Sequence, residues 1–595
     1  MAIPQQVACS AKSHPGPSDE SSDIRIHFGI SDEEKAAVRN RGKQVLQALK
    51  KLGLNVMKIP VVSVLVSGGG LRAAIACQGV LSELSRVGIL DMVTYVAGVS
   101  GSTWCMASLF TQLDGWTDLE KAEKELKRRL QEDSWDLSVA LDGLCDAAER
   151  DDYSLTDFWS YSVVYYLTKE LLDTCPSHMR HQSVMGSVPY PIFATIDKDL
   201  KSGEREKTLS EHGPGLQMLD DHLPASWFEF TPDWAGYSTL GFSTPGAYVS
   251  TTHCGSKFKG GKLIQEKPER DFSYLRALCG SALADMKTIL KTIKDFFWKF
   301  IHDSSTQLKM LLTDPEGVTL KNTMDQLFNL VYVFLTNGDC LPIMKNLHRI
   351  MAATGSKHFS EATALINKIT ELRGQPSQDQ QRQFIQELLE KSLNEDLLEQ
   401  SSAPSFLKFL WKTINCLFSW TWGTTNNFLY EYGDTEYKLL TKKKNMYLMD
   451  AGMAINSAYP LILPPVRNTE IILSFDFSEG DPSETIKATE KYCKACDIPF
   501  PPVDGAKLDQ EAKAPSDLYI FEGENAPVVM HFPLFNKVNC GSKEVIKQRH
   551  NTYATFRLTK YSDAEVCQLL EDSKANVRNN KDYIFMKIGD LAQAP

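Results

Sequence analysis

Residues 61–104 read VVSVLVSGGGLRAAIACQGVLSELSRVGILDMVTYVAGVSGSTW and contain two sharp strand-to-helix turns. Val61 to Val66 is a short β-branched apolar run of the kind that forms a buried strand. Gly68, Gly69 and Gly70 follow, and Leu71, Ile75, Leu81 and Leu84 then recur with helical spacing up to Gly88, a natural helix stop. Met92 to Ala97 reads as a second strand, and Gly98-Val99-Ser100-Gly101-Ser102 turns into a second helix. A β-α-β-α unit implies parallel strands with a right-handed crossover.

The second turn has the form of a nucleophile elbow. A serine at the tip of a tight strand-to-helix turn exposes its hydroxyl, and the small neighbours Gly98, Gly101 and Ser102 admit backbone and substrate. The helix behind Ser100 adds N–H groups and a partial positive charge. In the first turn, consecutive glycine N–H groups at a helix start can stabilise an oxyanion, each such donor being worth about 3 kcal/mol. Arg72 opposes the dipole of its own helix N-terminus, and rule-breaking residues tend to mark functional sites.

The strings S-G-G-G-L-R-A and Y-V-A-G-V-S-G-S-T-W resemble the cytosolic phospholipase A2 family within the patatin-like lipases, nearest its calcium-independent gamma branch. Val99 stands where the family motif G-L-S-G-S has leucine. Y-L-M-D-A-G at 447–452 and Y-P-L-I-L-P-P-V-R at 459–467 resemble the family's second catalytic segment, and PYPIFATID, WFEFTP and GSKFKGGKL extend the likeness. The resemblance implies a three-layer α/β/α patatin-like fold, with a central mixed, mostly parallel sheet and a helical insertion or cap. It implies Ser100 as nucleophile and Asp450 as its base in a Ser-Asp dyad. It further implies Gly69 and Gly70 as oxyanion donors, Arg72 steadying charge, and Arg467 binding the substrate phosphate. On residues alone, Asp450 ends an apolar strand, the edge where open α/β sheets bind ligands, although turn aspartates are common.

Competing motifs fit less well. G-x-G-x-x-A at 68–73, with Asp91 beyond it, is a weak dinucleotide fingerprint, and no G-K-[ST] completes a phosphate loop. A Ser-acid-His triad would need His531 or His550, the histidines after Asp450, and His531 in VVMHFPLF reads as a packed core residue. Cys493 and Cys496 form a lone C-x-x-C without the second pair that zinc would want. No cofactor or metal is expected.

Length alone, at 595 residues, admits about four domains. The wide separation of the two catalytic segments calls for fewer. The expected organisation is a leader at 1–24, one catalytic domain at 25–575 with an insertion at about 281–415, and a polar tail at 576–595. Ser31 to Glu34 reads as a capping box opening a helix that ends at Gly53, residues 116–175 read as helical, and Gly374 to Pro404 as a loose polar loop. Lys287–Ile301 and Phe406–Trp422 are lysine-bearing amphipathic segments, fitted either to the core or to a membrane interface. Trp411, Trp420 and Trp422 favour the interface for the second.

A net charge of −11 argues against overall attraction to nucleic acid or anionic lipid, while leaving room for local basic patches. Thirteen scattered cysteines fit a reducing compartment. The sequence shows neither a signal peptide nor an 18-residue apolar span. Calcium-dependent members of the family that the sequence resembles carry an N-terminal lipid-docking domain. With the catalytic motifs beginning by residue 67 and no C-a-a-X at the end of the sequence, the expectation is that neither such a domain nor a prenyl anchor is used. The expected protein is therefore a cytoplasmic, peripheral-membrane, calcium-independent phospholipase A2 and lysophospholipase acting on glycerophospholipids and lysophospholipids. An acyltransferase using the same acyl-serine and a catalytically idle lipid-binding protein are its alternatives.

Overall fold

The computed structural model describes residues 24–112, 114–132, 135–198, 227–238, 245–281, 286–303, 325–334, 338–340, 342–346, 349, 405–433, 440–555 and 557–594. The expected leader before residue 24 and the loop at 374–404 lie outside the described residues.

Fourteen strands are described: β1 Arg25–His27, β2 Val62–Val66, β3 Tyr95–Gly98, β4 Tyr190–Asp197, β5 Trp227–Phe230, β6 Trp234–Tyr237, β7 Gly246–Ser250, β8 Lys257–Lys259, β9 Lys262–Gln265, β10 Thr424–Asn426, β11 Asn445–Asp450, β12 Ile471–Asp476, β13 Tyr519–Phe521 and β14 Val528–Pro533. All but the β8–β9 hairpin join one mixed sheet of order β1-β7-β6-β5-β4-β3-β2-β12-β14-β13, with β11 alongside β4 and β10 alongside β11. Its centre, β4-β3-β2-β12-β14, is parallel, and both flanks are antiparallel. The continuous apolar runs of β2, β3 and β12 follow from burial on both faces.

Alternate residues of these strands face opposite layers. Leu65, Ala97, Ile192, Ala194 and Ile472 pack with Ala37 of helix α1 (Asp32–Lys51), and with Ile486 and Tyr492 of the helix Glu484–Cys496. Phe193 points the other way and meets Phe272 at a ring separation of 5.9 Å. On that side α2 (Gly70–Arg86), α3 (Gly101–Thr111) and α4 (Phe272–Cys279) pack on one another. The result is three layers, α/β/α, as expected.

Several boundaries differ from the sequence reading. Ser31 caps α1 by accepting the Glu34 N–H at 3.0 Å, but Glu34 does not reach back, because its carboxylate is bound by Tyr95 and Arg467. Strand β3 starts at Tyr95 rather than Met92: Leu90–Met92 form a short 3-10 turn, and the Leu90 and Val93 carbonyls accept from the Arg41 guanidinium at 2.6 and 2.7 Å. The expected polar tail at 576–595 is no tail. Residues 576–593 are the second half of a long helix, α5 (Asp563–Gln593). Val577, Ile584, Ile588 and Ala592 recur at helical spacing, are buried, and belong to the helix that packs along α2.

The chain separates into two compact units. One comprises Met1–Glu132, Leu167–Ser281 and Thr425–Pro595; the other comprises Asp133–Tyr166 and Ala282–Thr424. The smaller unit thus extends past the expected 281–415 insertion and recruits an earlier segment. Aromatic packing accounts for this. Phe158 stacks on Phe409, Trp159 meets Trp422, and Phe296 sits between Trp135 and Tyr166. Of the two amphipathic segments, now helices Met286–Asp303 and Ser405–Ser419, Ile289, Leu290, Ile293, Phe409, Ile414 and Leu417 are buried. Trp422, just beyond the second, is buried as well. These residues form core, and this overturns the membrane-interface reading for Trp422.

Candidate active site

Two strands bring the site together by meeting on one edge of β4. The first half of β4 pairs with β3 in parallel, Gly98 opposite Phe193. Its second half pairs with β11 antiparallel, Asp450 opposite Thr195. The carboxyl ends of β3 and β11 therefore approach each other head-on, and each ends in a turn that carries a polar side chain: Ser100 after β3 and Asp450 closing β11.

Ser100 has φ 53° and ψ −127°, a conformation that L-residues with a side chain avoid, and it is 4% exposed. Such a conformation costs on the order of 1–3 kcal/mol and persists only where its surroundings enforce it. Here they do. Ser102 donates its hydroxyl to the Ser67 carbonyl at 2.6 Å, tying the elbow to the first turn. Ser67 accepts the Phe477 N–H at 2.6 Å and donates to Asp476 at 3.3 Å, tying that turn to the end of β12. The two turns touch closely. A Cβ on Gly101 would lie 1.9 Å from the Gly70 carbonyl oxygen, and one on Gly68 would lie 2.7 Å from the Ser100 Cβ. Gly69 is the N-cap and Gly70 the first residue of α2, and among the described residues neither N–H has a hydrogen-bond acceptor. The same is true of the Gly101 N–H at the start of α3. Helix-start N–H groups are free in this way because no preceding turn supplies carbonyls.

Asp450 is 1% exposed. Its backbone N–H donates to Ser281 at 3.3 Å, and its Oδ1 accepts the Gly452 N–H at 2.8 Å. Its Oδ2 has no hydrogen bond of normal geometry among the described residues. Burial pushes its pKa up to about 7; the Ser100 hydroxyl and the Gly452 N–H favour the charged form and offset this only in part. A carboxylate poised near neutrality can take a proton and return it.

A family model described as a lysophospholipase catalytic domain matches residues 62–295. Cytosolic phospholipase A2 gamma of Mus musculus is 41% identical over 95% of this chain and 92% of that protein. The Homo sapiens protein of the same name is 42% identical over 96% and 97%. The chain belongs to the cytosolic phospholipase A2 family. Cytosolic phospholipase A2 zeta of Homo sapiens is 30% identical over 98% of this chain and 63% of its own length. Human GIVD cytosolic phospholipase A2 superposes with a TM-score of 0.62, at 22% identity, covering 97% of this chain and 67% of that one, a likeness of fold.

As a lipid hydrolase of the cytosolic phospholipase A2 family, the chain brings together four of the six residues singled out from sequence: Ser100, Asp450, Gly69 and Gly70. Arg72 lies beside them, fully buried. Its Nε donates to the Phe477 carbonyl at 2.8 Å, Nη1 to the Tyr553 carbonyl, and Nη2 to Thr555 at 3.1 Å. Its Nη2 would lie 2.6 Å from a Cβ on Gly69, so the cation backs the glycine turn while its hydrogen bonds hold the surrounding loops.

Arg467 departs from expectation. All its nitrogens are engaged: Nε and Nη2 with Glu34, Nη1 and Nη2 with Glu229, and Nη1 also with the Leu461 carbonyl. Two buried carboxylates and the Leu461 carbonyl take all five of its N–H groups and leave none for a phosphate, so the phosphate-binding role is replaced by a structural one. The small cavity it lines, with Glu34, Glu229 and Trp234, is lined by neither Ser100 nor Asp450. His531 is buried, with Nε2 2.9 Å from the Pro482 carbonyl and Nδ1 3.4 Å from Ser474, in keeping with its apolar sequence context. Sequence reasoning misses Asn456, which binds Gly68 from the loop after Asp450. Its one signal is its place in the same short segment as that aspartate.

Proposed function

We propose that this chain is a calcium-independent phospholipase A2 and lysophospholipase that cleaves fatty-acyl esters of glycerophospholipids through an acyl-serine formed on Ser100. The observation that carries the reading is the head-on meeting of β3 and β11, which pairs a strained serine with a buried aspartate whose pKa is about 7.

Asp450 accepts the Ser100 proton as Oγ attacks the ester carbonyl. The oxyanion forms against the helix-start N–H groups of Gly69 and Gly70, and the buried Arg72 cation behind the turn favours the same charge. The intermediate collapses, the C–O bond to the lysolipid breaks, and protonated Asp450 returns its proton to the leaving oxygen. Water then attacks the acyl-serine, its proton passing to Asp450, and the fatty acid leaves as Ser100 recovers its hydrogen. Nucleophile, base and oxyanion donors all come from the chain itself, which supports calcium independence. Lipid substrates present themselves in bilayers, so we place the enzyme at the cytosolic surface of intracellular membranes. Among the described residues, no helix is long and apolar enough to cross one.

Fatty-acid release from phosphatidylcholine vesicles in excess calcium chelator tests the reading. Wild type should be active, and Ser100→Ala and Asp450→Asn should each fall by roughly 10⁴-fold or more. An active Ser100→Ala, or wild-type activity that needs calcium, would overturn it.

A further inference from the structure

We infer that Asn456 holds the water that releases the fatty acid from Ser100, and so sets the balance between hydrolysis and acyl transfer. This rests on the acyl-serine reading above. Asn456 Nδ2 donates to the Gly68 carbonyl at 3.1 Å and to Ser478 at 2.7 Å, while its own backbone carbonyl accepts the Gly68 N–H at 3.2 Å. A carbonyl can only accept, so the amide nitrogen must face Gly68, which fixes the orientation of the side chain. The amide oxygen, Oδ1, is then left buried and without a donor among the described residues. It lies at the serine. A Cβ on Gly68 would be 2.4 Å from Oδ1 and 2.7 Å from the Ser100 Cβ, so oxygen and serine flank one point. The buried Oδ2 of Asp450 also lacks a hydrogen bond of normal geometry among the described residues, and the Ser100 hydroxyl that favours the charged carboxylate has no proton to offer once Ser100 is acylated.

Two buried acceptors beside one nucleophile match a molecule with two O–H groups. Leaving such an acceptor unsatisfied is costly. Both atoms are closed to water in this structure, and a water that enters once the lysolipid has left removes that cost. In deacylation one O–H of the water faces Asp450, which takes that proton as the water oxygen attacks the acyl carbon. The second O–H donates to Asn456 Oδ1 and stays on the product acid. When the tetrahedral intermediate collapses, the bond from carbon to Ser100 Oγ breaks and Oγ recovers the proton from Asp450. Acylation does not use this acceptor, since Ser100 has a single proton and Asp450 takes it. An alcohol that replaces water has one O–H at the attacking oxygen as well, so acyl transfer is equally indifferent to Asn456.

The test uses Asn456→Ala and Asn456→Asp, the latter keeping an acceptor oxygen while losing the donor to Gly68. Three quantities are read: labelling of Ser100 by methyl γ-linolenyl fluorophosphonate, acyl-Ser100 in quenched turnover by intact mass, and the ratio of acylglycerol to fatty acid formed from lysophosphatidylcholine with glycerol as acceptor. Asn456→Ala should label within about threefold of wild type, lose roughly 10- to 100-fold in hydrolysis for one lost hydrogen bond, accumulate acyl-serine and raise the ratio. Asn456→Asp should keep the wild-type ratio. Labelling that falls in step with hydrolysis would overturn the inference and make Asn456 a support of the glycine turn, as would an unchanged ratio in the alanine variant. If Asn456→Ala does not fold, Asn456→Leu, which keeps the side-chain volume without an acceptor, decides: a raised ratio supports the inference and a wild-type one overturns it. Failure of wild-type Ser100 to label would sink the acyl-serine reading itself, a separate result.

Discussion

Burial lifts Asp450 to about 7 because a carboxylate loses its water shell there, and the Ser100 hydroxyl and Gly452 N–H replace only part of it. The folded chain thus keeps this proton over a pH range in which the unfolded chain has released it. Stability falls as pH rises from the ordinary carboxylate value of about 4 to about 7, by the usual linkage of proton binding to folding. An asparagine in its place would carry no charge to desolvate and would still offer Oδ1 to Gly452. Asp450→Asn should therefore be more stable than wild type at pH 8, by on the order of 3 kcal/mol, with the gain vanishing near pH 4. Thermal denaturation across that range measures it, and a variant less stable than wild type at pH 8 would contradict the electrostatic account. The same residue predicts a wild-type kcat/KM that rises with pH and levels off above about 7, since only the ionised form is a base. Ser100 is legible in the sequence because its signal is local, a serine between small residues where an apolar run turns into a helix. Asp450 also closes an apolar run, but turn aspartates are common, and it is the resemblance of Y-L-M-D-A-G to the family's second catalytic segment that singles it out. Asn456 is not legible, because its meaning comes from Gly68, 388 residues away.

Arg467 ties together elements that no local pattern connects: Glu34 on α1, Glu229 on β5, and its own loop after residue 459. The phosphate role comes from the resemblance of Y-P-L-I-L-P-P-V-R to the family's second catalytic segment, helped by the suitability of a guanidinium for forked phosphate recognition. The two carboxylates that bind Arg467 are 433 and 238 positions distant in the chain. Removing one side of a buried ionic cluster strands the rest of its charge, at a cost of about 3–5 kcal/mol. Arg467→Ala should accordingly lower thermal stability by that amount, with lost activity tracking lost fold. A stable variant with raised KM alone would restore the phosphate role. The β2-α2-β3-α3 unit is legible almost residue by residue, since β-branched runs and glycine stops suffice for it. The elements that depart from the sequence pattern each have a distant partner. Arg41 delays β3, Arg467 draws Glu34 from its cap, and α2 turns a polar-looking tail into the packed half of α5.

The smaller of the two units shows at the scale of the whole molecule what its conspicuous aromatic residues are for. The segments Asp133–Tyr166 and Ala282–Thr424 are remote in sequence, and the unit they share is fastened by ring contacts together with a Tyr153–Thr413 hydrogen bond of 2.7 Å. Trp422 is 4% exposed, with its ring 5.9 Å from that of Trp159 and 6.0 Å from that of Trp420. Amphipathic periodicity reports that a helix has an apolar side, and the same stripe serves a bilayer or a core; only the partner across the stripe distinguishes them. The partner of Trp422 is protein. Trp422→Ala should therefore destabilise the fold by about 3–5 kcal/mol, the usual cost of truncating a buried aromatic. It should leave co-sedimentation of the folded protein with phosphatidylcholine vesicles unchanged. A net charge of −11 opposes bulk attraction to anionic lipid, so the comparison is made on neutral vesicles, where insertion of apolar side chains is the contribution being read. Lost vesicle binding at unchanged thermal stability would return this tryptophan to the interface and remove it from the core.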